Sequence, residues 1–257
     1  MLLIAISLIL ISFIFAPLGC FALWKKYVYF GDALSHATML ATSISIILNL
    51  PIIFSGIISS VIFSIAIFLF TSSSNISSVI SIISSFMLAI ALICSYIYPS
   101  KINTESLLFG DVLSINYSDI FMLISLLIII IIFIYKFGDQ IILTILHQDI
   151  AKIKNINVAF IEFTFLILLS LSIFLTVKIA GALLIVNLLI APSMIAKFIS
   201  TTHYKMIIYS TIISIIINLS SFIICLYIDM PLAPIIVINS SIIYISLVFF
   251  QCFSFKH

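Results

Sequence analysis

Long apolar runs broken by short polar clusters recur from one end of this chain to the other. A helix needs about 20 apolar residues to cross the hydrocarbon core of a bilayer. Runs of about that length cover residues 2–23, 27–49, 51–71, 77–98, 119–136, 158–177, 180–197, 206–228 and 232–251. The breaks include Trp24-Lys25-Lys26, Asn49 to Pro51, the Ser-rich Thr71 to Asn75, and Asp229 to Pro234. This pattern predicts an all-α fold, a polytopic membrane helix bundle of about nine transmembrane helices, in a single transmembrane domain over 1–257. Two stretches, 99–118 and 138–157, are too polar to span, and the first holds a short apolar piece, Ser106 to Leu113, of re-entrant length.

Composition makes lipid the solvent for most of this surface. Charged residues are 7% of the chain, against about a quarter in soluble proteins. With 65% hydrophobic residues and a mean hydropathy of +1.48, there is too little polar surface to enclose the apolar material in water. A net charge of +2 with dispersed lysines indicates no nucleic-acid surface. Cys20, Cys94, Cys225 and Cys252 stand singly in apolar stretches, as packing residues do. Pro17-Leu18-Gly19-Cys20 has the look of a lipoprotein cleavage site, but the apolar run before it has no basic n-region, so it reads as a retained first span.

The lysines suggest an orientation, because short cytoplasmic loops are enriched in them. With the N-terminus outside and the C-terminus in the cytoplasm, Lys25, Lys26, Lys136, Lys152, Lys154, Lys197, Lys205 and Lys256 fall inside, and only Lys101 and Lys178 fall outside. That arrangement needs an odd number of spans and suits a multi-pass protein of the inner (cytoplasmic) membrane. No Gly-rich phosphate loop occurs among the six glycines, so any use of ATP requires another chain.

Between Tyr27 and Ser100 the one formally charged side chain is Asp32, and the one histidine is His36. Four residues apart on a helix, they share a face with about 6 Å between Cβ atoms. Ionisable groups within a span normally face a cavity or a partner and mark a transport path. Imidazole nitrogen with carboxylate oxygen suits zinc, and also manganese or iron. From spacing alone, a neutral Asp–His hydrogen bond that fastens two helices is the competing reading. His147 and His203 read as solvated loop histidines and His257 is the terminal residue; Glu162 reads as an interfacial charge ahead of a pathway residue, and Asp111 as either a cation guide or a helix cap.

Three blocks carry a family resemblance. Ala16-Pro17-Leu18-Gly19-Cys20-Phe21, Trp24-Lys25-Lys26 and Tyr29-Phe30-Gly31-Asp32-Ala33-Leu34-Ser35-His36-Ala37 form the first. Leu108-Phe109-Gly110-Asp111-Val112-Leu113 is the second, and Gly181-Ala182-Leu183-Leu184-Ile185 through Leu189-Ile190-Ala191-Pro192 the third. In order and spacing they resemble the zinc/manganese/iron permease family of ABC importers, the zinc uptake permease subunit most of all. The resemblance implies a homodimeric permease that sits on two cytoplasmic ABC ATPase subunits and receives its ion from an extracytoplasmic metal-binding protein. It makes Asp32 and His36 the metal-path residues. It also makes Asp149, Ala151 and Asn155 part of a short cytoplasmic helix that docks into the ATPase. Where relatives often carry glycine, this chain has Asn155, which also tolerates a left-handed backbone. The ion is cargo, and no permanently bound cofactor is expected.

Two other function classes fit less well. A secondary cation transporter would usually show several intramembrane carboxylates or matched interrupted halves. An intramembrane metalloenzyme needs about three protein ligands and a general base, commonly spaced as in H-E-x-x-H. The chain offers one intramembrane pair and no such spacing.

Overall fold

The computed structural model describes residues 1–70, 75–98, 110, 115–146, 148–228 and 230–254. Among them the chain forms ten helices: α1 (Leu2–Trp24), α2 (Phe30–Leu48), α3 (Ile52–Phe70), α4 (Ile76–Ile97), α5 (Tyr117–Leu146), α6 (Gln148–Ile153), α7 (Val158–Ala180), α8 (Ala182–Ile199), α9 (His203–Ile228) and α10 (Leu232–Ser254). The nine expected runs are nine of these helices, and α6 is the tenth. Seven of the described helices, α1, α3, α4, α5, α7, α9 and α10, are long and apolar enough to cross a bilayer. Helix α2 has the same 19 residues as α3 but carries Asp32, Ser35, His36, Thr38, Thr42, Ser43 and Ser45, which lowers its hydropathy. The apolar stretch of α8, Leu184–Ile199, is shorter.

Two boundaries differ from the sequence expectation. Helix α5 runs on past residue 136 to Leu146 because Ile141 and Thr144 are buried against the bundle while Asp139 accepts a hydrogen bond from Tyr204. At 30 residues it is about 45 Å long, longer than the hydrocarbon is thick. Helix α2 starts at Phe30, not 27, because α1 ends in a tight hydrogen-bonded turn. There Lys26 takes a left-handed backbone (φ 62) and the Tyr27 N–H reaches back to the Ala22 carbonyl at 2.8 Å. Asn49 (φ 51) and Asn155 (φ 54) end α2 and α6 in the same way, with Leu50 N–H on the Ser45 carbonyl and Ile156 N–H on the Ala151 carbonyl, each at 3.1 Å. All three are Schellman-type ends, which satisfy carbonyls that the helix itself cannot.

Helices α5, α9 and α10 pack around α1 and α8, while α2 packs with α3, α4 and α7, and α8 lies between the two groups. Lipid tails are as apolar as leucine, so small residues and hydroxyls, not hydrophobicity, hold such helices together. Ser64 meets Ser170 at 2.8 Å across α3 and α7, Ser43 reaches the Ala91 carbonyl at 3.2 Å across α2 and α4, and Asn218 donates to Ser12 at 2.8 Å across α9 and α1. Asn239 on α10 donates to Ser220 and Ser221 on α9 at 2.8 and 2.9 Å. Outward-facing residues are large and apolar, including Phe54, Leu69, Phe86, Ile131, Ile132 and Ile216.

Exposed tyrosines mark the two interfaces. Tyr29, Tyr135 and Tyr204 lie toward one end of the bundle, and Tyr96, Tyr117 and Tyr227 toward the other. Tyr117 and Tyr135 on α5 are about 27 Å apart along the axis, close to the hydrocarbon thickness of about 30 Å, and aromatic belts sit at that level. The end with Tyr29 also carries Lys25, Lys26, Lys154, Lys197, Lys205 and α6, and Lys178 lies at the opposite end.

Candidate functional site

The turn after α1 builds the site. It drives the Tyr27 ring into the core, fully buried and stacked on Phe165 with centroids 6.3 Å apart. The Phe30 N–H bonds the Tyr27 carbonyl at 3.1 Å and opens α2, and the Phe30 ring packs edge-on against Phe63 at 5.2 Å. With Phe30, Ala33, Leu34 and Ala37 buried on one side of α2, Asp32 and His36 are left on the other, 59% and 40% exposed. They stand in the first two turns, at the α6 end of the bundle, and not at mid-span. Asp32 in the first turn is favoured by the positive end of the helix dipole.

Asp32 Oδ1 and His36 Nε2 are 3.5 Å apart. This is long for a hydrogen bond and half-exposed, neither of which suits a helix fastening. It does suit two ligands of one ion: at metal–ligand bonds of about 2.0–2.2 Å, two corners of a tetrahedron are roughly 3.3–3.6 Å apart. Among the described residues no group of three or more His, Cys, Asp or Glu gathers. Beside the pair a cavity of about 440 Å³ opens between the first turns of α2 and α4, lined by Tyr29, Asp32, Ser77, Ser78, Ser81 and Ser84 among others. At about 30 Å³ per water, it has room for a hydrated ion. The serines went unnoticed in the sequence, although Ser77, Ser81 and Ser84 recur at helical spacing.

Glu162 is the second residue that sequence reasoning underread. Its Oε1 accepts from Lys25 Nζ at 2.7 Å and from the Tyr27 hydroxyl at 2.8 Å, so it clasps α7 to the α1–α2 turn. Burial, and then the neighbouring carboxylate, push the Tyr27 phenol above its ordinary range, so it remains an O–H donor. His203 lies edge-on to Trp24, centroids 5.0 Å apart, and is therefore packed against the bundle rather than simply solvated. On α6, Asp149, Ile150 and Ile153 are exposed, whereas Ala151 is fully buried against the bundle. Asn155 takes the left-handed backbone that glycine would supply. Asp111, His147, His257 and most of the 106–113 piece lie outside the described residues.

The three motif blocks meet on α8. A methyl on Gly19 would lie 1.9 Å from the Leu189 carbonyl oxygen, so α1 and α8 touch backbone to side-chain-free backbone there. Gly31 on α2 faces Ile185 and Val186, and Gly110 (φ 72) faces the Gly181 amide, where a methyl would be 2.4 Å away. The glycines of the first two blocks thus all pack against the third.

Known proteins match over the same extent. The sequence model of the ABC 3 transport family covers residues 1–251. The chain is 32% identical to the high-affinity zinc uptake system membrane protein ZnuB of Buchnera aphidicola subsp. Baizongia pistaciae over 241 residues, 92% of each chain. It is 28% identical to the manganese import system permease protein ScaB of Streptococcus gordonii over 208 residues, 80% of this chain and 75% of that one. In fold it is similar to PsaBC from Streptococcus pneumoniae solved with a Fab, with a TM-score of 0.82, 24% identity, and coverage of 95% of this chain and 89% of that chain. With its helices in this arrangement and its motif glycines packed on α8, the chain belongs to the ABC 3 transport family.

Proposed function

We propose that this chain is the permease subunit of an ATP-driven importer that carries zinc into the cytoplasm. The observation that carries this reading is its similarity, along 92% of both chains, to a zinc uptake membrane protein. The 3.5 Å Asp32–His36 pair beside a polar cavity supplies the chemistry. A manganese or iron importer is the second reading, favoured by the likeness to a manganese permease and by a donor pair that serves those ions with added water.

Asp32 and His36 hold the ion in transit. A permease must release what it binds, and two ligands per chain suit that better than a closed four-ligand site. A second copy of the chain would bring the donor set to two nitrogens and two carboxylates. The ion arrives from an extracytoplasmic binding protein, and ATP is hydrolysed on separate ATPase subunits that receive α6. Asp149 with Ile150 and Ile153 forms the docking face of that helix, Ala151 seats it on the bundle, and Asn155 turns the chain into α7. The α6 end is cytoplasmic, the N-terminus external and the C-terminus internal, as the lysines favour.

The test is zinc uptake into proteoliposomes that contain the permease with its ATPase. Asp32→Asn and His36→Gln keep size and much of the hydrogen bonding, and each is expected to abolish uptake while the complex assembles at normal levels. Acidification is expected to weaken uptake by the unaltered protein, because ligation requires a neutral imidazole and an ionised carboxylate. Robust uptake by a well-assembled double variant would return the pair to a structural role.

A further inference from the structure

We propose that Glu162 is a positioning residue that transmits the movement of α6 to the start of α2, and through it to Asp32 and His36. The inference rests on the permease reading above. Two donors from the α1–α2 turn, the Lys25 ammonium at 2.7 Å and the Tyr27 hydroxyl at 2.8 Å, meet on a single oxygen of Glu162. The ion pair is largely shielded from water, with Lys25 13% and Glu162 23% exposed, so salt screens it little. Once one partner is lost, the other is left as a poorly compensated charge.

What lies on each side of this clasp gives it a mechanical meaning. On one side α6 ends at Asn155 in a hydrogen-bonded turn, Ile156 N–H on the Ala151 carbonyl at 3.1 Å. Asn157 then caps α7 by accepting from the Phe160 N–H at 3.1 Å, and Glu162 follows within the next turn. On the other side Lys26 closes α1 with Tyr27 N–H on the Ala22 carbonyl at 2.8 Å, and Phe30 N–H on the Tyr27 carbonyl starts α2, whose first turn holds Asp32. Both connections are hydrogen-bonded turns rather than slack loops. A rigid-body shift of α6 therefore reaches Glu162 without being absorbed, passes to Lys25 and Tyr27, and displaces the base of α2. Such hydrogen-bonded contacts between packed elements are how small shifts are transmitted.

A fastening and a transmission element differ in what their loss does to coupling, so the test reads coupling at matched amounts of assembled complex. In proteoliposomes with ATP and zinc, Glu162→Gln is expected to leave ATP hydrolysis running while zinc moved per ATP falls roughly tenfold, inside the range of a typical coupling energy. The charge swap Lys25→Glu with Glu162→Lys is expected to recover most of the ratio. A second readout needs no zinc: a thiol introduced by Tyr29→Cys, an exposed position that lines the cavity at the base of α2, into a chain otherwise freed of cysteine. Its modification rate is expected to change on adding ATP with Glu162 intact and to stay constant in Glu162→Gln. A nucleotide response that survives in Glu162→Gln, or an unchanged zinc-to-ATP ratio, overturns the proposal. Failure of the unaltered complex to move zinc would instead overturn the zinc reading, and the thiol response would still decide the role of Glu162.

Discussion

At the scale of single residues, the sharpest features are three non-glycine positions held in left-handed backbone, Lys26, Asn49 and Asn155. An L-residue pays about 1–2 kcal/mol for that conformation, and asparagine tolerates it better than lysine. Lys26→Gly is therefore expected to raise stability by about 1 kcal/mol, and Asn155→Gly to change it little. Asn155→Val, β-branched and unsuited to positive φ, is expected to cost about 2 kcal/mol. Thermal unfolding in detergent measures all three, and a stabilising Asn155→Val would show that the turn is not set by backbone conformation. That Asn155 would tolerate such a turn was legible in the sequence. Lys26 was not, because nothing about lysine predicts a left-handed residue and only the return of Tyr27 into the core demands it.

At the scale of helices, the determining contact is the approach of α1 to α8. Gly19 sits with its α-carbon against the Leu189 carbonyl, while Ser193 is poised between the Ala16 carbonyl at 3.4 Å and Ser210 at 3.2 Å. Gly19→Ala places a methyl inside that contact, so the helices must separate, at an expected cost of about 1–3 kcal/mol as in other overpacked interiors. Gly138→Ala is the control: the nearest atom to a methyl there is 3.8 Å away, in ordinary contact. Equal melting temperatures for Gly19→Ala and Gly138→Ala would show that α1 and α8 do not need this approach. The sequence marked Gly19 as part of a motif without saying what it does, since close packing joins residues far apart in the chain.

At the scale of the whole molecule, two belts of exposed tyrosine and the gathering of lysines at the α6 end define a slab with two chemically distinct faces. With the α6 end in the cytoplasm, a cysteine placed at Met230 in a chain otherwise freed of cysteine is expected to react with an impermeant maleimide on intact cells. One placed at Lys154 is expected to react only after permeabilisation. Labelling of position 154 from outside would reverse the orientation without altering the packing of the helices.

Hydrophobic periodicity by itself determined that this chain lives in lipid, roughly where its helices run, and that Asp32 and His36 share a helical face. These are consequences of local geometry and of transfer free energy, and both are written in consecutive residues. Which glycines touch, where α5 stops, and that Glu162 holds Lys25 and Tyr27 were decided by tertiary structure alone. Each depends on helices meeting across the bundle, and a carboxylate near the start of an apolar run looks the same in sequence whether it faces water or accepts two hydrogen bonds from another helix. The exposed placement of Asp32 and His36 at the α6 end has the same origin, because the burial of Phe30, Ala33 and Leu34 against their neighbours fixes which side of α2 is left open.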